Sequence, residues 1–148
     1  MPNWCYNDLR VSGPAEDLAQ FQKQARGVLP RKPTKNQPAP EVFSFQNLLP
    51  VPAELSGADS RAAAHEWRLQ HWGCRSDTLG SEQAGTTRDG GVLYRFETPW
   101  SPPVPFVREV SAQWPTLVFL LDYEEQLAGF RGLARAAAGS WQHFCLNL

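Results

Sequence analysis

Nucleophilic catalysis needs a thiol beside an imidazole, and the chain offers Cys5 with His71 or His143. Cys5 shares strand parity with Leu9 and Val11, which turns it inward, so it reads as a buried, inert cysteine. Metal binding would draw on His65, His71 and Cys74, along one helix or its end, and on His143 and Cys145. The last two lie two apart, on one face of a strand. His71-x-x-Cys74 with His143-x-Cys145 could close a tetrahedral zinc site, but no standard zinc spacing is complete. Whether the four meet in space stays open. Acid–base chemistry would fall to Asp122, Glu124 and Glu125, which a solvated hairpin turn also explains. There is no G-x-S-x-G elbow, P-loop or dinucleotide fingerprint. The reading is therefore of no enzyme, no cofactor and no metal, with a metal- or thiol-dependent enzyme as the last alternative.

Two kinds of recognition remain. Single-stranded nucleic acid is bound on some α+β sheets by bases stacking on exposed aromatics. Here Tyr94 and Phe96 alternate with Val92 on an apolar face and read as core, while Arg95 and Glu97 occupy the other. Arg31, Lys32 and Lys35, in a Pro-rich loop from 30 to 41, could touch phosphate or simply be solvated. Protein recognition would use the tryptophans. Trp67, Arg68, Trp72 and Arg75, with Asp77 and Trp100, have the composition of an interface centre. A small tryptophan-rich core accounts for Trp4, Trp67, Trp72 and Trp100 equally well.

These residues need elements to position them. Alternation predicts a strand over 4–12, with Cys5, Asn7, Leu9 and Val11 on one face. Leu18, Phe21 and Ala25 predict a helix from about 14 to 26, with Ser12 or Gly13 as its cap and Pro14 first. Phe43 and Phe45 suggest a second strand over 42–49, closed by Pro50 and Pro52. Helix is expected between 53 and 79, centred on 61–70, with Ala64, Trp67 and His71 along one side. A loop follows over 80–91, then a third strand over 92–97, a rigid Pro-rich turn, and a helix from about 103 to 113. A fourth strand over 117–123, apolar on both faces, turns near 124–126 into a fifth over 127–134; 141–148 alternates as a last strand.

The order is β-α-β, a helical insertion over about 50–91 between strands 2 and 3, then β-α-β-β. That is a split βαβ, ferredoxin-like α+β plan: an antiparallel sheet, two helices on one face, and an extra C-terminal hairpin strand. A length of 148 residues fits one such domain over 1–148. Apolar residues at 42% supply a core, and a net charge of −1 argues against a polybasic clamp and against whole-molecule mimicry of DNA. The opening decapeptide has no apolar signal core, and the longest apolar run, Leu117–Leu121, is far short of a membrane span. Three cysteines without scaffold spacing point to free thiols and a cytoplasmic setting.

Four stretches together resemble the YubB-type ferredoxin-like family, Api-like proteins of phages and plasmids with a domain of unknown function. They are Met1–Gly13; Asn47–Leu55; Trp67–Gly73 running on to Asp77; and Phe96–Pro103, followed by Trp114-Pro115 and Leu117–Glu124. Gly129–Gly132 fits the family's last hairpin. The chain departs from the family pattern where His71 replaces an asparagine and where Gly73-Cys74-Arg75-Ser76-Asp77 replaces Gly-Thr-Lys-Trp-Asp. The resemblance implies a mobile-element protein and transfers no reaction. The expectation is a non-enzymatic module that binds a host protein, such as a defence effector of the CRISPR kind, as an inhibitor. The alternative is a single-stranded nucleic-acid-binding domain. No membrane contact is expected, and the oligomeric state stays open.

Overall fold

The computed structural model describes residues 2–27 and 42–148. The Pro-rich basic loop with Arg31, Lys32 and Lys35 lies outside them.

Strand β1 (Trp4–Ser12) alternates as its sequence dictates: Cys5, Asn7, Leu9 and Val11 are buried, and Tyr6 and Arg10 are exposed. Gly13 breaks it, and helix α1 (Ala15–Arg26) follows, with Pro14 as cap rather than first residue. Glu16 and Asp17 in the first turn, and Lys23 and Arg26 in the last, complement the helix dipole. Leu18, Phe21 and Ala25 form its buried stripe.

The next segment differs from the expectation. Residues 42–49 form no strand; Phe45–Leu48 is a short helix, α2. Phe43 and Phe45 are both buried, as two-residue alternation requires, but α2 is capped from a distant part of the chain. Two short 3-10 turns lead into α3 (Arg61–His71), which ends well before residue 79.

The expected loop over 80–91 is mostly β2 (Leu79–Thr86), an edge strand with no buried residue and so no hydrophobic alternation to betray it. Strand β3 (Val92–Pro99) and helix α4 (Val104–Gln113) fall close to their predicted places. Strand β4 (Val118–Glu125) buries Phe119, Leu121, Tyr123 and Glu125 but leaves its other row half-exposed, so it is not covered on both faces. The turn lies later than expected, and β5 (Phe130–Ala137) and β6 (Ser140–Asn147) complete the chain.

All neighbouring strands are antiparallel, in the order β2-β3-β1-β4-β5-β6. The first four in that row are the ferredoxin-like arrangement, and β5 and β6 extend it. The ferredoxin-like α+β plan thus holds, with one change. The helical segment precedes strand 2 instead of following it.

The core lies between the helices and one sheet face. Phe21 meets Phe119 and Trp114 edge-on, at 5.5 and 5.4 Å between ring centroids. Phe43 stacks on Phe96 at 5.1 Å, and Phe45 lies 4.4 Å from Phe106 of α4. Asn7 is buried among them, with its amide bonded to Thr98 Oγ1 (3.0 Å) and the Cys5 carbonyl (3.1 Å). Among the described residues no helix lies on the opposite sheet face. Cross-strand register places Tyr6, Asp8 and Arg10, Arg95 and Glu97, and Asp122 and Glu124 on that open side.

Candidate functional site

The segment from Trp67 to Asp77 is held by contacts that separate its structural residues from its surface ones. Trp67 is half-buried, stacks on His71 at 4.5 Å and meets Trp72 edge-on at 6.0 Å. Trp72 is only 2% exposed and donates its indole N–H to the Leu49 carbonyl at 2.8 Å. It also packs on Phe45, so it closes the core beneath α2 and α3. Gly73 has φ +87°, and a Cβ there would lie 2.5 Å from Pro105 Cδ and 3.0 Å from the Pro102 carbonyl oxygen. Only glycine lets the end of α3 approach the start of α4 this closely. Cys74 is buried, and burial pushes its thiol up to about 12.

Asp77 is a cap. One carboxylate oxygen accepts from the backbone N–H of Phe45 and of Thr78, both at 2.7 Å. The other accepts from the Ser44 hydroxyl at 2.6 Å and the Gln46 N–H at 3.2 Å. It thereby satisfies the orphan donors of α2 from across the fold. Of the expected contact residues, Trp72 is therefore removed from any surface, and Asp77 is committed to internal bonds.

Arg68, Arg75 and Trp100 remain accessible. Arg68 is half-buried and donates Nε–H to the Arg75 carbonyl at 2.6 Å; Arg75 is exposed. Trp100 is 48% exposed. Its φ is +70°, in the left-handed region that a bulky L-residue rarely enters. Its N–H is fixed to the Asn3 carbonyl at 2.8 Å, and the next residue, Ser101, donates its hydroxyl to the Gly73 carbonyl at 2.6 Å. That bond ties the Trp100 turn to the loop carrying Arg75.

The other candidates are dispersed. Cys5 is fully buried, and burial pushes its thiol up to about 12, which suppresses the thiolate a nucleophile needs. His71 Nδ1 is taken by Glu109 at 2.8 Å, and His143 Nε2 by the Tyr123 hydroxyl at 2.6 Å. Cys74 donates to the Ser76 carbonyl at 3.3 Å, and Cys145 is exposed on β6. Among the described residues no three His, Cys, Asp or Glu side chains form a group able to hold a metal. Asp122 pairs with Arg131 at 3.5 Å on the open face. Glu125 points the other way, buried, and accepts the N–H groups of Leu127 and Ala128 at 2.9 and 2.6 Å to close the turn.

Tyr94 and Phe96 are buried, as their parity predicted. The open sheet face is concave, with a hollow of about 450 Å³ lined by five carboxylates (Asp8, Glu82, Glu97, Asp122 and Glu124) against Arg95 and Arg131. Arg95 is bound to Asp8 at 2.9 Å. A phosphate backbone would meet an excess of negative charge there.

Sequence reasoning missed an exposed apolar group on β5, β6 and the residue that follows it: Leu133, Phe144, Leu146 and Leu148. Its signal was available, because residues 137–148 contain no charge and no proline. Among the described residues no helix is long and apolar enough to cross a membrane.

Comparison with known proteins supports the fold. Residues 81–147, from β2 to β6, match the family model described as the ferredoxin-like domain in Api92-like protein. The crystal structure of the protein api92 from Yersinia pseudotuberculosis is similar over 97% of this chain and 98% of that one, with a TM-score of 0.60 at 12% identity. At that identity the likeness is one of fold. No curated protein matches the chain. Over residues 81–147 the matched model is thus of the kind the sequence resembled, ferredoxin-like and Api-like.

Proposed function

We propose that the chain is a non-enzymatic protein-binding module whose contact surface centres on Trp100, with Arg75 on the adjoining loop and Arg68 and Trp67 on the last turns of α3. The carrying observation is Trp100 itself, a half-exposed indole held at φ +70°. A non-glycine residue in that region costs on the order of 1–3 kcal/mol, and solvent gives nothing back for it. A binding partner would, because tryptophan and arginine supply most of the energy at interface centres. The phage and plasmid setting of the resembled family makes a host defence protein, such as a CRISPR effector, the partner to test first, in the host cytoplasm.

The test has two parts. Wild-type protein is used to capture a partner from host lysate, and binding is then measured with variants. Trp100→Gly removes the indole and relieves the backbone, so the fold should melt no lower than wild type while binding is lost. Arg68→Glu with Arg75→Glu should also abolish binding. Retained binding by both folded variants would overturn the proposal.

A further inference from the structure

The sheet has two edges, and the chain treats them differently. The outer edge of β2 is blunted: its register with β3 shifts twice, Gly80 sits at φ +61°, and the strand carries the charge of Glu82. Such bulges and charges keep edges from pairing with other chains. The β6 edge has none of these devices. It pairs with β5 without a shift over eight residues, and every one of its residues is exposed. Phe144, Leu146 and Leu148 are 71%, 70% and 74% exposed, on the same face as Leu133.

The turn fixes which backbone groups are free. Ala138 and Gly139 have φ of +51° and +82°, a two-residue turn with both central residues left-handed. Such a turn makes Ala137 and Ser140 a hydrogen-bonded pair, and the pattern then alternates. The Leu148 N–H bonds to the Gly129 carbonyl at 2.7 Å, in phase with it. Residues 140, 142, 144, 146 and 148 therefore face β5. Trp141, His143, Cys145 and Asn147 direct their N–H and C=O groups outward.

We infer that this edge pairs with the same edge of a second copy, antiparallel, joining two six-stranded sheets into one across a two-fold axis. An axis perpendicular to the sheet sets residues of equal parity opposite one another. Centring it on Phe144 uses the whole strand. Trp141 then exchanges hydrogen bonds with Asn147 of the copy, and His143 with Cys145, about eight bonds in all, within the usual range for an interface. Phe144 meets its own counterpart in the non-hydrogen-bonded position, where side chains come closest. A second copy is the occupant that the charge pattern favours. A strand without charge has nothing with which to select a charged partner, and nothing that repels itself.

The full chain is examined by sedimentation at about 50 μM, since assembly follows concentration. The expected result is twice the mass of one chain. Leu146→Lys, at an exposed side chain, should give a monomer with an unchanged far-ultraviolet spectrum. In a Cys145→Ser background, Phe144→Cys should form a disulfide-linked dimer on mild oxidation, and Gln142→Cys should not. A wild-type monomer overturns the inference and leaves the edge to a strand of another protein. A dimer that survives Leu146→Lys, or that cross-links through position 142 and not 144, also overturns it. Leu146 and Trp100 lie on different elements, so loss of self-association and loss of partner binding are separable.

Discussion

Replacing Asp77 by alanine separates a cap from a contact residue. The carboxylate serves four donors, and their surroundings differ. Gln46 is exposed and Ser44 half-exposed, so water can replace the lost acceptor at both. Phe45 and Thr78 are buried, and their N–H groups would be stranded. A stranded buried donor costs about 1–3 kcal/mol, so two give about 2–6 kcal/mol. Against a typical stability of about 5–15 kcal/mol that is a large fraction. Asp77→Asn should behave differently. Its remaining oxygen can still accept from Phe45 and Thr78, and Ser44 can turn to accept from the new amide. Only charge assistance and the Gln46 bond are lost, for about 1 kcal/mol. Urea unfolding would show the alanine midpoint far below wild type at equal slope, with asparagine close to wild type. An alanine variant within about 0.5 kcal/mol of wild type would refute the capping argument, as would equal losses for both variants.

Two further outcomes follow from the Tyr123–His143 contact. A Cβ on Gly132 would overlap the Tyr123 hydroxyl, which crosses β5 there to reach His143. Gly132→Ala should therefore cost about 1–3 kcal/mol in thermal unfolding and break that hydrogen bond. Burial holds the His143 imidazole below its ordinary value of 6.5. The unfolded chain thus binds the proton first, so this contribution to stability is full above about pH 6.5 and is lost as pH falls below it. The loss is small, because His143 is largely exposed. Comparing unfolding at pH 7.5 and 5.0, His143→Asn should lose less than wild type; an equal or greater loss in the variant would count against the assignment.

What was legible in the sequence was whatever has a buried face. β1, β3 and α1 each bury one row of side chains, and parity found Leu9, Val11, Leu18, Phe21, Tyr94 and Phe96. β2 has no buried face, so its glycines and serine read as loop. The Phe43-Ser44-Phe45 alternation matched a strand, yet α2 owes its first turn to Asp77, and no local pattern carries a cap supplied from across the fold. Leu127 drew the fifth strand too early because it is apolar, although it is 81% exposed in the turn. The burial of the proposed contact residues was only partly legible. Composition found Trp72 and Asp77 but could not tell that one fills the core and the other binds backbone. Trp100 was found for its type; what distinguishes it, a left-handed backbone, has no sequence signal.

The place of β1 in the sheet bears on how the chain acquires its fold. Trp4–Ser12 pairs with Val92–Pro99 on one side and Val118–Glu125 on the other. Synthesis at about 5–20 residues per second separates β1 from its first partner by roughly 5–20 s. Through that interval both of its edges are open, and its buried row of Cys5, Leu9 and Val11 lacks most of the core it joins in the finished fold. The β2–β3 hairpin is local and can close quickly, whereas the middle of the sheet must wait for distant segments, which slows folding. A factor that holds nascent β1 would therefore be guarding the centre of the sheet, not its periphery.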